Sequence, residues 1–168
     1  MDKLSEFFLK QLDAVVYGII GPLSVAYIIP KFFLDLQMNL DIYYQDIDVF
    51  NYAGIFFMNF GALIAIWCTI VMHATKKASV SPFTPPKKVI TTGPFKYVRH
   101  PMMWAINFVI IGEIFAWRSP MVFIWFLIWI RFSVIYIARH EEPYLISIFR
   151  EDYLDYCKKT PRWFMKFK

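Results

Sequence analysis

The chain has 168 residues, of which 58% are hydrophobic and 20% aromatic, with a formal net charge of +5 and a mean hydropathy of +0.45. That composition goes beyond what a soluble core needs and points to a membrane protein built as one compact domain, residues 1–168, with no room for a second sizeable core. The basic excess sits in particular loops, not on a stripe of a soluble scaffold, which argues against a nucleic-acid partner; two cysteines make no disulfide framework.

In chain order, residues 1–13 are mixed-charge and amphipathic and read as a short interfacial helix, with no cleavable signal expected. Residues 14–34 form a first apolar span, with Gly18, Gly21 and Pro22 in its middle, and Pro22 is predicted to kink it. Residues 35–49 carry Asp35, Asp41, Asp46 and Asp48 and no Lys or Arg. Residues 50–72 form a second span, with Gly61 and Ala65 as a small-residue pair suited to close helix approach. Residues 73–99 then carry Lys76, Lys77, Lys87, Lys88, Lys96 and Arg99 and no acidic residue. The positive-inside rule places this loop and both termini in the cytoplasm and the aspartate loop outside. The stretch Ser81-Pro82-Phe83-Thr84-Pro85-Pro86 reads as an extended connection.

Two further apolar runs, 102–117 and 120–138, are joined by Arg118-Ser119 alone, which predicts a tight antiparallel helical hairpin. Each carries an intramembrane charge, Glu113 and Arg131, for which a partner is expected. Glu113 is expected to meet Arg118 near the outer surface; Arg131 either faces a polar cavity or snorkels. In the tail, Glu142, Leu145, Phe149, Tyr153 and Tyr156 fall on one helical stripe. This predicts a cytoplasmic amphipathic helix at the membrane surface, ended by Thr160-Pro161, with Arg162-Trp163-Phe164 as an interfacial anchor. The expected fold is therefore an all-α integral membrane protein. It has about four transmembrane helices, two of them within residues 1–72, and a C-terminal half, 91–168, that holds the chemistry.

That chemistry is organised around Thr92-Gly93-Pro94-Phe95-Lys96-Tyr97-Val98-Arg99-His100-Pro101. Gly93-Pro94 signals a turn. Pro101 suits the first turn of a helix, where its missing N–H has no partner to lose. His100 then stands at a helix mouth, beside free backbone N–H groups, a place suited to an anion. Contact with anionic lipid headgroups is the plainer alternative. The second cluster is Arg139-His140-Glu141-Glu142, where the fourth run ends. Together they offer Arg99 and His100 to an anion and carboxylates to hydroxyls or an amine. Tyr97, Trp104 and Tyr153 could stack on a flat ring, so a zwitterionic nucleoside would use all of them. His140-Glu141-Glu142 is not a zinc pattern, three scattered histidines make a poor metal site, and no Gly-x-Gly-x-x-Gly loop occurs, so no metal is expected.

These residues resemble the superfamily of membrane methyltransferases that includes isoprenylcysteine carboxyl methyltransferases and phospholipid methyltransferases. The resemblance covers about residues 91–163. It is carried by Gly93-Pro94-Phe95-x-Tyr97-x-Arg99-His100-Pro101, by Glu141-Glu142-x-x-Leu145, and by Phe149-x-x-x-Tyr153-x-x-Tyr156 followed by Pro161-Arg162. It implies an S-adenosylmethionine site at the Arg-His-Pro helix mouth and the Glu-Glu segment, closed by the C-terminal helix. Tyr97, His100, Pro101, Glu141, Glu142, Leu145 and Tyr153 would hold the cofactor. For a carboxylate acceptor such as the α-carboxyl of a prenylcysteine, Arg99 and Arg139 would orient the nucleophile. For an amine such as phosphatidylethanolamine, Glu142 or His140 would take the proton. The acceptor's lipid tail would enter sideways from the bilayer. The abundance of arginines places isoprenylcysteine O-methylation ahead of phospholipid N-methylation. An NADPH-dependent sterol-type reductase and a non-catalytic structural membrane protein are the readings from other classes. Two positions depart from the family pattern: Met103 stands where Tyr is frequent, and Arg150 where Gly is usual.

Overall fold

The computed structural model describes residues 20–42, 47–74 and 88–163. The expected N-terminal interfacial helix, the start of the first span with Gly18, and the Ser81–Pro86 connection lie outside the described residues. The described part is all helical, without a strand. We number its helices α1 (residues 21–39), α2 (Val49–Ala74), α3 (Pro101–Trp117), α4 (Pro120–Phe149) and α5 (Glu151–Lys159).

The first helix runs on past residue 34 through Asp35 to Asn39, five residues beyond the predicted end. Its Gln37 is buried and bonds the Ser119 hydroxyl, so the polar end of α1 is packed against the hairpin turn instead of forming a loop. The irregularity of α1 is a widened π turn, Ser24–Ile28, directly before Ile29-Pro30. Proline lacks the amide hydrogen and clashes with the carbonyl four residues back, and a widened turn relieves that clash. The same device recurs in α4, where the π turn Ile137–Glu141 precedes Pro143.

Asp48 and Asn51 start α2 as a reciprocal cap: the Phe50 amide donates to Asp48 Oδ1 at 3.0 Å and the Asp48 amide to Asn51 Oδ1 at 2.9 Å. Asn51 Nδ2 also donates to the Ala116 carbonyl at 2.7 Å, satisfying an orphan acceptor at the end of α3. The pairing of α2 with α3 is the most extensive contact among the described residues. Glycines make it possible. A Cβ on Gly54 would lie 2.6 Å from the Gly112 carbonyl oxygen, and one on Gly61 2.6 Å from that of Ala105, so the two backbones touch at both points. Gly61 is thus consumed within the chain.

The hairpin forms as predicted. Arg118 adopts the left-handed conformation (φ 45°) that ends α3, and the Ser119 hydroxyl accepts from the Val122 amide at 3.0 Å to start α4. The core gathers Val25, Phe33 and Leu34 of α1 around Ile110 of α3 and Val122 and Trp129 of α4. Outward, the helices are apolar and bare: Phe56, Leu63, Ile70, Leu127 and Phe132 are all exposed. A surface of that kind needs lipid to cover it. α2 and α4 are each long and apolar enough to cross a bilayer. In α4 the apolar run ends at Ala138, and the polar residues from Arg139 onward continue beyond it.

Two expected partners change. Arg118 pairs with Asp48 and lies 5.4 Å from the Phe50 ring centroid, not with Glu113. Glu113 is buried, and its Oε2 has no hydrogen-bond partner among the described residues. Asp48 competes successfully because the capped start of α2 lies beside the hairpin turn. Arg131 is exposed on α4, which matches snorkelling and not a polar cavity.

Candidate functional site

The tail does not continue as one amphipathic helix. It breaks at Arg150, whose backbone takes φ 48°, ψ −118°, a conformation suited to glycine. The break turns α5 back across the bundle end where α3 begins. Two anchors hold it there. The Tyr156 hydroxyl donates to the Phe95 carbonyl at 2.6 Å, and the Arg99 amide donates to the Pro161 carbonyl at 3.0 Å. The loop it meets is shaped by Gly93 (φ 60°), where a Cβ would fall 2.6 Å from a Val71 methyl, so the loop lies directly on α2. A single 3-10 turn, Gly93–Lys96, then delivers Arg99 and His100 to the mouth of α3.

Glu142 is the hub. It is buried at 6% exposure, yet three cations surround it. Arg99 Nη1 lies 2.8 Å from its Oε1, Arg162 Nε donates to Oε1 at 3.0 Å, and Arg162 Nη2 bonds Oε2, a bidentate grip. His100 Nε2 faces Oε1 at 3.5 Å, while His100 Nδ1 faces Glu141 Oε1 at 3.3 Å. Carboxylates only accept, so an imidazole with both nitrogens on carboxylates carries both hydrogens. Burial works against that charge, but the hydrogen bonds and charges of Glu141 and Glu142 outweigh it, and the His100 pKa is raised. Burial likewise opposes ionisation of Glu142, and the opposing hydrogen bonds to His100 and Arg162 with the charges of Arg99 and Arg162 win, lowering it to about 2. Three cations thus face two carboxylates, which leaves the cluster with an excess positive charge.

Beside the cluster lies a cavity of about 160 Å³ walled by Arg99, His100, Glu141, Leu145, Tyr153 and Tyr156, with Lys88 at its rim. Two buried polar atoms on its wall residues, Arg99 Nε and the Tyr153 hydroxyl, have no hydrogen-bond partner among the described residues. Burial holds that hydroxyl protonated, so it stands as a donor. On the other side of the 97–101 segment an apolar groove of about 520 Å³ runs between α2 and α3, walled by Phe60, Trp67, Tyr97, Trp104, Phe108 and Trp163 among others.

The structure brings Arg99, His100, Glu141, Glu142, Leu145 and Tyr153 together, while Pro101, expected among the cofactor residues, lines the groove. Arg139 is not among them: it is exposed on the π turn, and His140 beside it is also exposed, its ring stacked on Tyr136 at 5.6 Å. Both lie on the π turn Ile137–Glu141 itself, on the side that faces away from the cavity. Tyr97 is 51% exposed and faces the groove instead of the cavity. Arg162, read from sequence as an interfacial anchor, is the site residue that sequence reasoning missed. Two signals pointed to it: Pro161-Arg162 closes the motif set that carries the resemblance, and Glu142 is a carboxylate on an otherwise apolar stripe. Cys157 was also missed; its Sγ accepts from Arg99 Nη1 at 2.8 Å.

A family model described as phospholipid methyltransferase matches residues 49–152, more than half of the chain. It takes in α2, the loop, the hairpin and the Glu141-Glu142 segment, and stops short of Arg162. No curated protein and no solved structure is detectably similar to the chain. With lipid-facing helices and a family match from α2 to the end of α4, the chain is an integral membrane protein that belongs to the phospholipid methyltransferase family, within the superfamily it shares with the isoprenylcysteine carboxyl methyltransferases.

Proposed function

We propose that the chain moves a methyl group from S-adenosylmethionine to the polar head of a lipid acceptor, at the bundle end where Glu142 gathers its three cations. The observation that carries this is the pairing of two compartments: a polar cavity beside a net-positive buried cluster, and an apolar groove on the other side of one short segment. The cavity suits the donor. Its orphaned Arg99 Nε–H and Tyr153 O–H ask for acceptors such as a carboxylate or ribose hydroxyls, and Glu141 is placed for an amine. When bound, the sulfonium would supply an electrophilic methyl and leave as a neutral thioether.

The chain's own part is to bind, orient and exclude water. Arg99 and His100 offer fixed positive charge, Leu145 and Phe149 close the cavity on its apolar side, and the groove admits the acceptor's hydrocarbon tail from the bilayer. Arg99 and Arg162 are both engaged by Glu142, and Arg139 faces away, so few cations remain to orient a carboxylate nucleophile. This favours a phospholipid amine such as phosphatidylethanolamine. The ammonium proton would pass to Glu141, because Glu142 is saturated with donors and the doubly protonated His100 has no lone pair to accept it. Carboxyl O-methylation of an isoprenylcysteine is the second reading, favoured by the unpartnered Arg99 Nε and by Lys88 at the rim. The loop charges of residues 73–99 put the site on the cytoplasmic side, with four spans in all.

The test is transfer of labelled methyl from S-adenosylmethionine by protein reconstituted in phosphatidylethanolamine vesicles, with S-farnesylcysteine as the competing acceptor. Label on the phospholipid, reduced at least about 100-fold by Glu142→Ala, is the expected result. Label on the prenylcysteine alone would reverse the order of the two readings, and label on neither would sink both.

A further inference from the structure

We propose that Trp163 is the specificity-determining wall between the two compartments, the side chain against which the acceptor's head is sized; this rests on the methyltransferase reading above. The chain alternates sides as it passes between them. Tyr97, Val98 and Pro101 line the groove, while Arg99 and His100 line the cavity, and no residue lines both. Trp163 lines the groove, and its ring centroid lies 6.3 Å from that of His100, tilted by 40°. The indole therefore stands where the groove faces the cluster, and a nucleophile that reaches the cavity from the groove has to settle beside it.

The strap that carries this ring is pinned residue by residue. The Pro161 carbonyl accepts from the Arg99 amide at 3.0 Å, the Arg162 guanidinium grips both oxygens of Glu142, and the Trp163 carbonyl accepts from Trp104 Nε1 at 2.8 Å. A large flat ring on a backbone fixed to the loop, to α4 and to α3 cannot yield easily to a bulkier head. Rejection of extra bulk by packing is worth about 10- to 200-fold per methylene-sized group. The match to the family model ends at residue 152, before Trp163.

The experiment compares wild type, Trp163→Ala and Trp163→Phe in detergent, using two acceptor pairs that differ in head bulk. One is phosphatidylethanolamine and its N,N-dimethyl form; the other is S-farnesylcysteine and its N-acetyl form. The measured quantity is the ratio of kcat/KM for the bulkier member to that for the smaller. Comparing this ratio between variants cancels the intrinsic reactivity of each acceptor. Binding of S-adenosylhomocysteine by calorimetry is the fold and donor-site control. Trp163→Ala is expected to raise the ratio at least about tenfold for the pair that wild type methylates, through KM, with S-adenosylhomocysteine affinity kept and Trp163→Phe intermediate, raised at least about twofold. An unchanged ratio in Trp163→Ala with the affinity kept overturns the wall. If Trp163→Ala loses that affinity, Trp163→Phe decides: a ratio raised at least about twofold keeps the wall and an unchanged one overturns it. A wild type that binds no S-adenosylhomocysteine overturns the methyltransferase reading, and the wall with it.

Discussion

His100 and Glu142 titrate in opposite directions, and their interaction therefore has a defined pH window. Glu142 has a lowered pKa, so its contribution is present above the ordinary carboxylate value of 4.5 and is lost as pH falls toward about 2. His100 has a raised pKa, so its contribution is complete below the ordinary 6.5 and is lost as pH rises through the higher folded value. The stability difference between wild type and His100→Gln should be greatest between those two ordinary values and should shrink in alkali. Thermal unfolding in detergent across pH measures it; a difference that grows with alkalinity would mean that His100 is neutral in the folded protein. Arg150 supplies a second test at this scale. An exposed arginine held at φ 48°, ψ −118° is strained by roughly 1–3 kcal/mol. Arg150→Gly should therefore stabilise the protein by about 1 kcal/mol in the same assay, and destabilisation would show that the arginine side chain does more than occupy the turn.

At the scale of helices, two backbone contacts fix how α2 and α3 cross. Gly61→Leu would drive a branched side chain into the Ala105 carbonyl and Val109, and overpacking of that kind costs typically 1–3 kcal/mol. Because α3 carries His100 at its mouth, the variant should lose S-adenosylhomocysteine affinity along with stability. Ala65→Leu, on the half-buried neighbouring position, should lose neither. Full affinity in Gly61→Leu would show that the helix pair does not position the site.

Much of this level was legible in the sequence. The hairpin turn at Arg118-Ser119 and the end of the tail helix at Thr160-Pro161 fell where the sequence placed them, because hydropathy and capping are local properties. The break after Phe149 was visible only as an oddity, an arginine in a place where glycine is usual, and the stripe running through it suggested one helix instead of two. The turn of α4 before Pro143 is widened and Arg139 on it is exposed, a local geometry that a simple helical period cannot reveal. Glu113 was given Arg118 on spacing alone, and the capped start of α2 brought Asp48 there first.

For the whole molecule, the site depends on one closure that no local pattern encodes. Residue 162 returns to residue 142 and joins it to the mouth of α3, and this closure makes a cation-rich pocket out of three separate motifs. The sequence blocks named His100, Glu141, Glu142 and Pro161-Arg162, but nothing local said that the Arg162 guanidinium, in a segment that also read as a membrane anchor, returns to Glu142. The direct measurement is calorimetric titration of S-adenosylhomocysteine into detergent-solubilised wild type, Glu142→Ala and Arg162→Ala. Micromolar binding by wild type, weakened at least about tenfold in both variants, is what this architecture predicts. Wild-type protein that is folded and binds nothing, or variants that bind as tightly as wild type, would place the donor site elsewhere and contradict the account.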